Sequence, residues 1–231
     1  MLFRSVSDSD DISEIQKQFL EVPDLYVADG HHRIAAANRV RITRKESNPN
    51  HTGEEQYNFA LGVLFPESQL KILSYNRCVK DLNGLSSEEL LSQISQNFNC
   101  APSQNNISDD VIPQSPGQFA MFLDDKWYHL SLKETVDVKQ DAVSKLDTSI
   151  LQNLILSPCL GIENPRTNPR IDFIGGIRGM SELEKRCQTD SKVAFALYPT
   201  HINQLLSVSD EGKMMPPDRK STRLNSSHQI I

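Results

Sequence analysis

The chain is a succession of short apolar blocks separated by polar turns, and the spacing inside each block predicts an element. Ile12, Ile15 and Phe19 recur at helical spacing, which predicts a helix over residues 8–19 with Asp10 or Asp11 as its cap. Residues 25–28, Leu-Tyr-Val-Ala, form a strand-type run that ends at Asp29-Gly30, a chain-reversal signal. From Ile34 the composition turns to helix formers, so a helix follows. Residues 47–53 form a polar loop. The apolar runs 57–65 and 70–75, joined by Pro66-Glu67-Ser68-Gln69, predict an antiparallel hairpin. Ser86 and Glu89 make a capping-box pattern opening a helix that turns Leu90, Leu91, Ile94 and Phe98 inward. Residues 100–117 are rich in Ser, Asn and Pro and predict loop. Residues 119–123 and 127–132 flank Asp124-Asp125-Lys126 as a second hairpin. Asp147 is expected to cap a helix that Pro158 ends. Beyond it lie a strand at 170–174, a helix at 180–187, a strand at 193–198 and a helix at 200–208.

Helices and strands alternate here without a βαβ rhythm. The expected fold class is therefore α+β, with a mixed or antiparallel sheet rather than a doubly wound one. No internal repeat is visible. A length of 231 residues permits a large core, or one domain and part of another. No apolar stretch approaches the ~20 residues that cross a bilayer. The first residues have neither the apolar segment of a secretory signal nor the bias of a transit peptide. The expectation is a cytoplasmic protein with no membrane partner.

Charge narrows the picture further. A net charge of −6 argues against a general nucleic-acid binder, which presents a basic face. Arg39, Arg41, Arg44 and Lys45 do cluster, but as the solvated end of a helix, where cations complement the dipole. Cys78, Cys100, Cys159 and Cys187 are scattered with no CxxC, as expected of reduced structural thiols.

The chemistry concentrates in Asp29-Gly30-His31-His32-Arg33. Gly30 tolerates positive φ and lets another group approach the backbone. The residues after it offer N–H groups at a helix N-terminus, where the dipole favours an anion. Arg33 adds a two-pronged grip on phosphate or carboxylate. The turn thus reads as an anion cradle, although Asp-Gly before a helix is also ordinary punctuation. His31 and His32 make a poor metal pair, because adjacent helical residues do not share a face. Asn76-Arg77, at a strand end, is a second candidate element of an anion pocket; the alternative is a surface Arg77 paired with Asp81. Trp127 and His129 read as packing or surface residues.

Three segments carry a resemblance to the family catalogued as domain of unknown function 1015. They are Leu-Tyr-Val-Ala-Asp-Gly-His-His-Arg at 25–33, the block at 70–81 containing Asn76-Arg77, and a C-terminal pattern. That pattern comprises residues 171–176, residues 193–199 and Met215-Pro216-Pro217. Members of that family are longer before the hallmark loop. The resemblance therefore implies that residues 1–218 are the C-terminal portion of a longer protein or of an incomplete gene model. Residues 219–231 resemble the peptide produced when sequencing-adapter DNA is translated, so they are expected to be a non-native tail.

More distantly, the loop is similar to the phosphate-binding loop of the ParB/sulfiredoxin-like group, which includes free serine kinases. A sulfiredoxin has its reactive Cys where His31 stands, and ParB adds a helix-turn-helix and a basic face not evident here. What remains implied is a phosphotransferase that uses ATP or ADP with Mg²⁺ and acts on a small hydroxy compound. The resemblance gives Gly30, His31, His32, Arg33, Asn76 and Arg77 to phosphate or nucleotide binding. His32 and Asp29 take the catalytic roles. Asp29 holds Mg²⁺ through water, orients a histidine, or serves only the turn. The alternative is a non-catalytic nucleotide-binding or interaction module. No general base is assignable.

Overall fold

The computed structural model describes residues 5–27, 30–104, 108–213 and 215–216. The expected tail at 219–231 and Asp29 both lie outside them. The chain divides into two units, Met1–Leu64 and Phe65–Ile231.

The first unit is helical. Helix α1 spans Ser9–Phe19, and its cap is Asp8, just ahead of the positions expected. The Asp8 carboxylate accepts from the N–H groups of Asp10 and Asp11 at 2.9 and 3.1 Å, which leaves those two acids to complement the dipole. Ile12, Ile15 and Phe19 share one side, as their spacing requires, and all three are exposed. Helix α2 spans His31–Glu46 and ends on Arg44 and Lys45, in keeping with the reading of the basic cluster. The polar loop that follows is held by Glu55, whose carboxylate accepts from the N–H groups of Thr52 and Gly53 at 2.7 and 3.0 Å. The Thr52 N–H is the main cause that holds the Glu55 carboxyl down at about 2.

Two expected strands are not formed. Residues 22–27 are extended chain outside any sheet, and residues 59–66 and 70–74 are likewise unpaired. Between the last two, Glu67–Gln69 is a single 3₁₀ turn. Apolar runs of strand type need a ladder partner to become strands, and here the ladder begins only at Tyr75.

The second unit is built on a six-stranded sheet in the order β2-β4-β3-β6-β1-β5. The strands are β1 Tyr75–Val79, β2 Phe98–Pro102, β3 Gln118–Leu123, β4 Lys126–Leu132, β5 Ile171–Gly175 and β6 Val193–Leu197. Every pairing among them is antiparallel, which bears out the α+β class. Residues 98–102, mostly expected to be loop, instead supply the edge strand β2 beside β4. The β3–β4 hairpin turns on Asp124 and Asp125 alone, with φ of 48° and 57°, and Lys126 joins the strand. Both turn residues are left-handed, as a two-residue type I′ connection demands.

Both faces of the sheet are buried. Val79, Phe119, Met121, Leu123, Phe195 and Leu197 point to one core. That core is closed by helix α3 (Ser87–Ile94), helix α4 (Asp147–Leu151) and the π-turn that continues α4 over Gln152–Leu156. The expected Ser86–Glu89 capping box opens α3. Cys78, Ala120, Phe122, Trp127, Ala194 and Ala196 point the other way, with Leu183 of helix α5 (Gly179–Thr189). Small alanines on β6 let α5 approach. Helix α6 (Ile202–Asp210) follows β6. On the α5 side Arg186 donates to Asp172 of β5 at 2.6 Å and to Asp190 at 2.7 Å.

Candidate functional site

Gly30 is the N-cap of α2 and sits in the left-handed region, with φ 84° and ψ 21°. A residue with a Cβ enters that region only at a cost, so the turn selects glycine. A second constraint is steric. A Cβ at position 30 would lie 3.1 Å from both Nε and Nη2 of Arg33 and 3.3 Å from its Cζ. The guanidinium therefore folds back over the Gly30 backbone, across the start of the helix. The N–H groups of Arg33 and Ile34 both donate to the Gly30 carbonyl, at 2.8 and 3.1 Å, and pin the turn.

The local charge is of one sign. The first turn of α2 contains no acidic residue, and Gly30 brings no side-chain oxygen to cap it. His32 and Arg33 are exposed. Helix dipole, guanidinium and imidazole thus converge on one exposed turn, an arrangement suited to an anion.

Asn76 and Arg77 lie on β1 in the second unit and are both buried, at 2% and 3% exposure. They point to opposite faces of the sheet, because side chains alternate along a strand. The Asn76 Oδ1 accepts from the Leu197 N–H at 3.2 Å, extending the β1–β6 ladder by one side-chain bond. Arg77 lies on the other face with its Cζ 4.4 Å from the Phe173 ring centre, and its Nη1 donates to the Tyr75 carbonyl at 2.5 Å. The pairing of Arg77 with Asp81 does not occur. Asp81 is instead gripped by Arg170, with Nε donating at 2.8 Å, and that bond holds its carboxyl below the usual range.

Arg77 lines a cavity of about 220 Å³ with Thr148, Gln152, Leu156, Glu163 and Pro165 among its walls. The hydroxyl of Thr148 and Oε1 of Gln152 are buried without a hydrogen-bond partner. Sequence reading missed this cluster. The signal available was a row of Thr148, Gln152 and Leu156, four apart on a helix whose neighbours Ser149, Ile150 and Leu151 are buried. Asp147, at the start of that helix, is buried too. It accepts from the Gly117 N–H at 2.8 Å, and burial pushes its carboxyl up to about 7.

Trp127 is a core residue, 4.9 Å from Phe122 between ring centres, and its Nε1 donates to Glu184 at 2.7 Å. Cys78, Cys100, Cys159 and Cys187 are free thiols, and burial first, then the neighbouring Cys187, pushes Cys78 up to about 12. Among the described residues no group of three or more His, Cys, Asp or Glu could hold a metal ion. Among the same residues no helix is long and apolar enough to cross a membrane.

The sequence pattern of the family described as Protein of unknown function (DUF1015) matches residues 3–149. The chain belongs to this family. The matched residues enclose both the 30–33 turn and Asn76-Arg77 and end within α4, so the C-terminal segments of the resemblance lie beyond them. No curated protein and no solved structure matches the chain.

Proposed function

We propose that the 30–33 turn holds the phosphates of ATP or ADP, and that the protein is a nucleotide-dependent phosphotransferase acting on a small hydroxy compound. The observation that carries this reading is the Arg33 guanidinium folded over a left-handed Gly30 at the N-terminus of α2. Phosphoryl transfer asks a protein mainly for positioning and charge stabilisation, and this turn offers both. The first-turn N–H groups and Arg33 would hold phosphate oxygens. His32 would donate to an oxygen or exchange a proton with it. A bound nucleotide supplies the phosphoryl group. Asp29, outside the described residues, is the residue assigned to Mg²⁺. A loop of this type is that of the ParB/sulfiredoxin-like group, where the free serine kinases are the best analogy. Four free thiols favour a reducing compartment, and hence the cytoplasm.

The test is consumption of ATP and ADP by the purified full chain with Mg²⁺, against a panel of amino and hydroxy acids. Turnover that disappears in Arg33→Ala supports the reading. Binding sensitive to Arg33 with no turnover leaves a non-catalytic nucleotide-binding module, and no binding defeats both.

A further inference from the structure

We propose that the cavity between β1 and the Gln152–Leu156 turn binds the zwitterion of a short amino acid. Thr148, Gln152 and Leu156 are four residues apart along α4 and its π continuation, so they form one row facing Arg77 across the cavity. The π geometry is explicit in the Ser157 N–H, which donates to the Gln152 carbonyl at 2.9 Å, five residues back. Such turns are often retained where a site needs them.

The amide of Gln152 is not free to rotate. Its Nε2 donates to the Ile162 carbonyl at 2.6 Å, which fixes Oε1 as the acceptor left over. Oε1 and the Thr148 hydroxyl are buried with no hydrogen-bond partner. Buried polar atoms of that kind cost stability unless a ligand satisfies them. Both accept hydrogen bonds, so the occupant must bring donors.

The charges at the cavity say which donors. Arg77 is almost wholly buried and is held in place by its stack on Phe173 and its bond to Tyr75. Glu163 is exposed at the mouth. A cation deep inside and an anion at the rim match a carboxylate at one end and an ammonium group at the other. The ammonium has three donors for Thr148 Oγ1, Gln152 Oε1 and Glu163. Leu156, Pro165 and Pro216 leave an apolar wall for a side chain. The volume, about 220 Å³, limits that side chain to a small one. The site is argued from the second unit alone and stands independently of the 30–33 turn.

Calorimetric titration of the full chain with alanine, acetate, methylammonium and inorganic phosphate tests this. Alanine is expected to bind at least about tenfold more tightly than either half-molecule or phosphate, a difference of about 1.4 kcal/mol. Thr148→Val should weaken alanine roughly tenfold, the loss of one hydrogen bond to a charged group. It should leave the melting temperature of the unliganded protein unchanged or higher, because it removes a buried hydroxyl that has no partner. Glu163→Gln should weaken alanine and leave acetate unaffected. Equal binding of alanine and acetate, tighter binding of phosphate, or alanine affinity unchanged in both variants overturns the proposal. So does a lower melting temperature for unliganded Thr148→Val, since that would reveal a structural partner for the hydroxyl.

Discussion

Replacing Asp147 by Asn should stabilise the second unit at neutral and alkaline pH and do nothing at pH 4. Burial raises the carboxyl from 3.8 to about 7, against a smaller opposing effect of the Gly117 N–H. Each tenfold gain in proton affinity corresponds to about 1.36 kcal/mol, so holding the ionised form in the folded protein costs about 4 kcal/mol. Placement in the first turn of α4 returns about 0.3–1 kcal/mol through the dipole. Because the folded protein binds the proton more tightly than the unfolded chain, stability falls as pH rises from about 3.8 to about 7 and is flat above. Asn retains an oxygen to accept from Gly117 and cannot ionise, so it removes the penalty while keeping the bond. Urea unfolding followed by fluorescence of Trp127, the single tryptophan and a core residue of this unit, reads the relevant transition. Wild type and variant should coincide near pH 4 and diverge by about 3 kcal/mol at pH 8. Parallel pH profiles, or a variant less stable than wild type at pH 8, would refute the reasoning.

Three further outcomes follow from the geometry. Gly30→Ala should abolish anion binding at the turn, since the new Cβ meets the Arg33 guanidinium at 3.1 Å, and should cost about 1 kcal/mol in backbone strain; titration with ATP beside circular dichroism melting separates the two effects. Asp125→Gly, at φ 57° in the β3–β4 turn, should stabilise the hairpin by about 0.5–1 kcal/mol in denaturant unfolding, and a loss would mean that the Asp125 side chain matters more than its backbone. Arg186→Met should destabilise by at least about 1.5 kcal/mol, because the guanidinium bonds both Asp172 and Asp190; an unchanged melting temperature would show these pairs to be solvent-screened.

What the sequence revealed depended on whether the controlling interaction was local. The Ser86–Glu89 capping box, the Asp124-Asp125 turn and the positive φ at Gly30 are set by residues within one turn, and each was readable. The cap fell at Asp8 rather than at Asp10 or Asp11 because three acids in four residues all suit a helix start. The hairpin expected over 57–75 failed for the opposite reason: strand pairing depends on a partner, and β1 pairs with β5 and β6, far away in the chain. The same long-range pairing separates Asn76 from Arg77, adjacent in sequence and opposed across the sheet. The hallmark turn was legible as a motif, since its glycine, histidines and arginine are consecutive. The Thr148–Gln152 cluster was not, because its meaning comes from Arg77, far earlier in the chain, and from two atoms whose lack of partners only packing reveals.

The central claim is that the 30–33 turn binds nucleotide phosphate through Arg33. Isothermal titration of ATP and ADP, with Mg²⁺, into the full chain and into Arg33→Ala tests it most directly. Arg33 is exposed, so the variant should fold as wild type does. Charge-assisted bonds of roughly 1.5–3 kcal/mol each predict at least about a tenfold loss of affinity in the variant. Equal affinity in both proteins, or no heat of binding in wild type, contradicts the account.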